Sequence, residues 1–168
     1  MMNNAESILK NKIRQLPQLL NDVQQWKAEG KKVVFTNGCF DLIHIGHLTY
    51  LAKAAELGDK LIIGLNADSS VKQLKGENRP INNEESRSAL LAALFFVDAV
   101  IIFEEETPAN LIKAVLPDVL VKGGDYTFDR IVGAPDVVAN GGEVKTITFV
   151  DGYSSTAIIN KIRSQNAC

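Results

Sequence analysis

The chain holds two histidines, and both fall in the tetrapeptide His44-Ile45-Gly46-His47. Two histidines scattered at random over 168 residues rarely land three apart with a glycine between them, so the spacing reads as a motif. Residues three apart at the start of a helix point to the same side. Gly46 carries no side chain, which lets a bulky anion approach the backbone. A helix N-terminus adds unpaired N–H groups and partial positive charge. Two imidazoles on such a dipole are suited to holding phosphate oxygens while negative charge grows on them. Two competing readings are a zinc site and a pair of ordinary polar residues. Zinc needs two further ligands, and no Cys or Glu stands at a compelling spacing nearby.

Such a pair needs a strand that ends just before it and a helix that starts with it. Lys32-Val33-Val34-Phe35-Thr36 reads as a buried strand, and His47 to Leu57 as a helix that Gly58 ends. Further strands are expected at Leu61 to Leu65, Ala99 to Phe103, Asp118 to Val121 and Val144 to Phe149. Helices are expected near Ser69 to Leu74, from Glu84 to Phe96, after Thr107-Pro108 as N-cap and first-turn proline, and from Ser155 to Ile162. Lys75 to Asn83 reads as a polar loop, and Asn140-Gly141-Gly142 as a tight turn. Ahead of all this, Leu16, Leu19, Leu20, Val23 and Trp26 line one face of a helix with Pro17 in its first turn and Gly30 at its end. That stripe packs at home or on a second subunit, and packing at home is the commoner outcome.

Short apolar strands alternating with helices give an α/β fold, a doubly wound, five-stranded parallel sheet with an N-terminal helical extension. Ligands of such sheets sit beyond the carboxyl ends of the strands. The loop after Thr36, the loop after Val121 and the start of the last helix are therefore the candidate site. Composition narrows the chemistry. Net charge is -2, which excludes a broad electrostatic grip on nucleic acid, so anion binding must be local. Two cysteines, Cys39 and Cys168, make no disulfide framework and fit a reducing cytoplasm. Met1 to Gln15 lacks the apolar stretch of a secretory signal, and the longest apolar run, Ala89 to Val97, is far short of the ~20 residues a membrane span needs. A cytoplasmic protein with no membrane or nucleic-acid partner is expected. No GxxxxGK[ST] loop is present, which sets aside a P-loop kinase.

The run Thr36-Asn37-Gly38-Cys39-Phe40-Asp41-Leu42-Ile43-His44-Ile45-Gly46-His47 resembles the HxGH signature of the cytidylyltransferase-like nucleotidyltransferases. The resemblance continues through Leu74 to Pro80, Val121-Lys122-Gly123-Gly124-Asp125-Tyr126 and Ser154-Ser155-Thr156-Ala157-Ile158. Within the family it is nearest to the free-standing heptose 1-phosphate adenylyltransferases, which make ADP-heptose for lipopolysaccharide or surface-glycan assembly. It implies a nucleotidyltransferase domain over residues 31–168 behind an extension over 1–30, with ATP and a sugar 1-phosphate as substrates. Magnesium is implied as the cofactor, carried mainly by the triphosphate, with no protein metal site; a homodimer is implied as well.

Residue by residue, the resemblance makes His44, His47 and Lys75 catalytic, with Lys72 as a competitor for the last role. Thr36, Gly38, Cys39, Phe40, Asp41 and Gly46 become nucleotide-binding, as do Lys122, Gly124, Asp125, Ser154, Ser155 and Thr156. Arg79 and Arg87 become ligands of the sugar phosphate, although an ion pair that braces the loop serves Arg87 as well. Asp41 is open to orienting the turn or His44, to metal contact or to helix capping. The glycerol-phosphate cytidylyltransferases carry an arginine shortly before the serine–threonine cluster, and Phe149 to Tyr153 supplies none. That departure favours the adenylyl branch over a cytidylyltransferase on glycerol 3-phosphate or a similar ester. A nucleotide-binding sensor is the alternative outside enzymes.

Overall fold

The structure, a computed structural model, describes residues 4–124 and 126–165. Strands β1 (Val33–Gly38), β2 (Lys60–Asn66), β3 (Ala99–Phe103), β4 (Val119–Gly123) and β5 (Glu143–Ile147) form one sheet in the order β3-β2-β1-β4-β5. All neighbours are parallel, and β1 lies in the middle. The expected five-stranded, doubly wound α/β sheet is the one observed. The chain winds outward from β1 in both directions, so its carboxyl end is the switch point at which such sheets take ligands.

Helices α1 (Ala5–Lys12), α2 (Leu16–Ala28), α3 (Ile45–Ala55), α4 (Asp68–Lys75), α5 (Glu84–Ala92), α6 (Ala109–Val115), α7 (Ala134–Ala139) and α8 (Ser155–Gln165) surround the sheet, with one 3-10 turn at Phe128–Arg130. Two separate apolar clusters cover its faces. One joins Leu19 and Val23 of α2 to Phe35, Ile62, Leu111 and Val137. The other joins Tyr50, Leu51 and Ala54 of α3 to Val34, Ile63, Leu91 and Val121. The α2 stripe thus packs on its own sheet, with Leu19 fully buried and Gly30 beyond the helix end at φ 72°.

One device sets the strand register at the amino end of the sheet. Asp59, Asp98 and Asp118 each immediately precede a strand. In each case the aspartate N–H donates to a carbonyl at the entry of the neighbouring strand, and the N–H of the residue bearing that carbonyl donates back to the carboxylate. Asp59 pairs with Lys32 in this way, Asp98 with Leu61 and Asp118 with Val33. The first N–H of a parallel strand otherwise has no partner, and a carboxylate satisfies it with a charge-assisted bond.

Several elements differ from the sequence reading. Helix α3 begins at Ile45 with His44 as its N-cap, two residues earlier than expected. Pro108 rather than Thr107 is the N-cap of α6. Helix α5 stops at Ala92, and Phe95 beyond it is 92% exposed. Strand β5 ends at Ile147, so Phe149 leaves the sheet and lies against Gly123. Helices α1 and α7 have no counterpart in the reading, because AESILKNK is mostly polar and APDVVA is shorter than two turns.

Candidate active site

Strand β1 delivers the chain to the carboxyl end of the sheet, where Gly38 to Ile43 form the turn that leads into α3. Phe40 takes φ 44° there, a left-handed conformation that a bulky residue adopts only where its surroundings hold it. Its ring is buried, lies against the face of Gly38 and meets His47 edge-on at 5.4 Å. Phe40 therefore works as the floor beneath the histidines.

The imidazoles of His44 and His47 stack with centroids 3.9 Å apart and planes 23° from parallel. The Nδ1 atoms of both rings are buried and have no hydrogen-bond partner among the described residues. Burial, and then the neighbouring His44, pull the His47 pKa from 6.5 down to about 4. Burial lowers that of His44 too. Two stacked cations would repel, so at neutral pH the pair is uncharged and prepared to donate N–H bonds. Tyr153 closes the outer side, its ring 6.4 Å from that of His44. Gly46 has a steric reason of its own. A Cβ at that position would sit 3.0 Å from the His44 ring and 3.3 Å from Cβ of Tyr153, so the glycine makes room for the imidazole itself.

Asp41 proves to be a clamp. Its buried carboxylate accepts the Arg79 Nε–H at 2.6 Å and the backbone N–H groups of Ile81 and Asn82 at 2.8 and 2.9 Å. Burial alone would raise its pKa, but the Asn82 and Ile81 N–H groups and the Arg79 guanidinium outweigh that and hold it below the ordinary carboxylate value. It neither caps α3 nor bonds His44; it ties the loop before α5 to the histidine turn.

Thr36 is fully buried, and its hydroxyl shares a 2.6 Å hydrogen bond with Tyr50 of α3. The expected place for Thr36 in the nucleotide pocket is corrected accordingly, since no atom of it reaches the cleft. The Tyr50 hydroxyl, its pKa pushed up to about 12 by burial, also lies 3.4 Å from the Val121 carbonyl. Arg87 is likewise fully buried, with its guanidinium committed to Cys39, Asn66, Asp68 and Asn82. As placed, it offers nothing to a sugar phosphate, and of its two sequence readings the structure realises the brace.

Lys75 is the exposed last residue of α4, and its charge acts to lower the pKa of the Cys39 thiol. Burial nonetheless holds that thiol above its ordinary value, which keeps it protonated and a poor nucleophile. Arg79 is largely buried against Asp41. Lys122 is half-buried, which lowers its pKa, and its ammonium lies 5.9 Å from the Tyr126 ring centre. Gly124 has φ 102°, and Asp125 lies outside the described residues. Ser154 accepts the Ala157 N–H at 3.0 Å as the cap of α8, while Ser155 donates to the Leu42 carbonyl at 3.1 Å and docks α8 on the histidine turn. Thr156 is exposed in the first turn of α8. Sequence reasoning missed Tyr50, Asn82 and Asp68. Tyr50 had a signal in hindsight, since it lies on the same helix as the motif, six residues after His44.

The family model described as cytidylyltransferase-like matches residues 35–161. The chain belongs to that family. Among its relatives is the Bifunctional protein HldE of Geobacter sulfurreducens, 53% identical over 151 residues that cover 90% of this chain and 31% of that protein. The Bifunctional protein HldE of Haemophilus ducreyi is 57% identical over 138 residues, 82% of this chain and 29% of that one. This cytidylyltransferase-like chain thus spans under a third of the length of these curated relatives. A solved structure, the lipopolysaccharide core biosynthesis protein from Thermoplasma volcanium, is similar with TM-score 0.60 and 31% identity, over 74% of this chain and 100% of that one. Pantoate-beta-alanine ligase from Francisella tularensis, at 15% identity and TM-score 0.58 over 90% of this chain and 77% of that one, shares the fold. Every described cleft residue named above lies inside the matched region of the cytidylyltransferase-like family.

Proposed function

We propose that the protein transfers AMP from ATP to heptose 1-phosphate, giving ADP-heptose and pyrophosphate for lipopolysaccharide or surface-glycan synthesis. The observation that carries this reading is the stacked, uncharged histidine pair at the N-terminus of α3, with both Nδ1 atoms buried and unpartnered. A phosphate oxygen of the sugar 1-phosphate attacks the α-phosphorus, a P–O bond forms, and the bond to the pyrophosphate leaving group breaks. No covalent enzyme intermediate is needed, so alignment and charge stabilisation supply the catalysis. His44 and His47 bind the triphosphate and donate to the crowded α-phosphoryl group. Lys75 closes over the transferring phosphates from the end of α4, and Arg79 turns its free guanidinium nitrogens to the sugar phosphate. The Gly38 and Cys39 backbone and the Lys122-Gly123-Gly124 turn line the nucleotide. The N-terminus of α8, with Ser154, Ser155 and Thr156, receives the outer phosphates, a role compatible with capping.

Among the described residues no group of three or more His, Cys, Asp or Glu is placed to hold a metal ion. The cleft offers imidazole, ammonium, hydroxyl and N–H groups, which suit phosphate rather than a hard cation. Magnesium therefore fits as part of the MgATP substrate, shielding phosphate charge while keeping most of its waters. None of the described helices is long and apolar enough to cross a membrane. Dependence on free ATP places the protein in the cytoplasm, and two copies pairing as a homodimer complete the reading.

The test is pyrophosphate release with magnesium and heptose 1-phosphate in the presence of ATP, CTP, GTP or UTP. Turnover with ATP alone, lost in His44→Ala, is expected. Turnover with CTP would replace the nucleotide assignment. ATP binding without pyrophosphate release, with glycerol phosphate also tried as acceptor, would replace the enzyme by a sensor.

A further inference from the structure

The one fully buried cation among the described residues, Arg87, bonds four residues on three stretches of chain, the turn after β1, the passage from β2 into α4 and the loop before α5. Nη1 donates to the carbonyls of Cys39 and Asn66 at 2.7 and 2.8 Å, joining the exits of β1 and β2. Nη2 donates to the Asp68 carboxylate at 2.7 Å, at the first residue of α4. Nε donates to the Asn82 carbonyl at 2.9 Å. Asn82 in turn gives its backbone N–H to the Asp41 carboxylate and its side-chain amide to the Asp41 carbonyl. The network closes on itself around the histidine turn.

We propose that Arg87 is a positioning residue that fixes the distance between the turn bearing the histidine pair and the helix bearing Lys75. The proposal rests on the assignment of Lys75 to the transferring phosphates. Arg87 grips α4 at Asp68, and Lys75 is the last residue of the same short, stiff helix. A displacement of Asp68 therefore moves Lys75 relative to His44 and His47. The residue type follows from the geometry. A planar guanidinium sends five N–H groups in fixed directions, four of which are used here. A lysine ammonium cannot reach three carbonyls and a carboxylate lying around one plane. Apolar side chains of similar volume often fill a buried position as stably as a buried ion pair does. What they cannot do is hold backbone carbonyls of separate loops at a set distance, and catalysis is sensitive to misplacements of about 1 Å.

The experiment uses two substitutions. Asp68→Asn weakens the grip at a carboxylate that is 34% exposed and stands outside the proposed catalytic machinery. It is expected to leave the melting temperature within a few degrees and to lower kcat by about tenfold, with a smaller change in the KM for ATP. In a Lys75→Ala background the same substitution is expected to cost almost nothing further, because the residue it positions is gone. An equal fold loss in both backgrounds would overturn the proposal. Arg87→Lys is read by amide hydrogen exchange, with faster exchange expected together in residues 39–44 and 68–75 while β3 stays protected. Uniform acceleration, or a change in only one of the two segments, would also overturn it. Should Arg87→Lys fail to fold, the same exchange measurement on Asp68→Asn decides. Exchange needs no substrate, so a wild-type protein that released no pyrophosphate would sink the functional reading while the brace remained testable.

Discussion

The two ends of the sheet are built on opposite principles. At the amino end, Asp59, Asp98 and Asp118 each exchange paired hydrogen bonds with a neighbouring strand, and the polar groups there are consumed by the fold. At the carboxyl end the supporting groups are equally committed, Asp41 to its loop and Arg87 to four residues on three stretches of chain. Above them, however, stand His44 and His47 with buried, unpartnered nitrogens. Unsatisfied buried polar atoms cost about 1–3 kcal/mol each, so a fold keeps them where a ligand completes them. The contrast teaches where to look for function: in the layer the hydrogen-bond network supports but does not satisfy.

The largest expected effect breaks that layer. His47→Ala should lower turnover by about 10²–10³, the usual loss for one donor to a developing charge, while the fold is retained. Pyrophosphate release alongside thermal melting checks it. Acid titration sharpens the same point. Between pH 6.5 and about 4 the unfolded chain holds a proton on this residue that the folded chain refuses. Stability should therefore fall as pH drops through that window, and His47→Gln should flatten the slope in urea melts.

Next comes the supporting layer. Asp41→Asn should destabilise the protein by about 2–3 kcal/mol by leaving Arg79 and two N–H groups poorly paired. Asp41 is held below the ordinary carboxylate value, so its contribution is whole above that value and disappears as pH falls through the depressed one. The variant should lose that acid-side dependence in denaturant melts. At the opposite end, Asp118→Ala should cost about 1–2 kcal/mol and leave the KM for ATP unchanged. A shifted KM would erase the distinction between the two ends. Smallest is Ser154→Ala, about 1 kcal/mol from the lost cap, seen in melting together with a raised KM for ATP.

Much of this was legible in the chain. The run of apolar strands announced the parallel sheet, and the single cluster of histidines lay where such a sheet takes ligands. The buried layer was not legible. For Arg87 the sequence offers a loop-bracing ion pair beside a phosphate contact, but neither reading names the three carbonyls and one carboxylate that the fold brings around it. The same holds for Thr36, whose hydroxyl looks free until Tyr50 arrives from the next helix. Phe40 gives no sign of its left-handed backbone, because that conformation is imposed by the packing of its ring beneath His47. Period and spacing report which face a residue occupies. They do not report which distant segment it will meet.

The chain ahead of the sheet does more than cover a face. Ile13 bridges to Val100, and the Arg14 N–H donates to the Val100 carbonyl, so a short stretch of backbone lies along the outer side of β3. That strand reads AVIIF, uncharged and rich in β-branched residues, the kind of edge onto which a second molecule adds to begin an aggregate. The opposite edge, β5, is guarded differently, by Glu143 in contact with both Lys32 and Lys145. One edge is blunted by charge and the other by a borrowed partner. A protein shortened by its first fifteen residues would then lose solubility before it lost its fold, through a strand whose edge at Val100 had lost its cover.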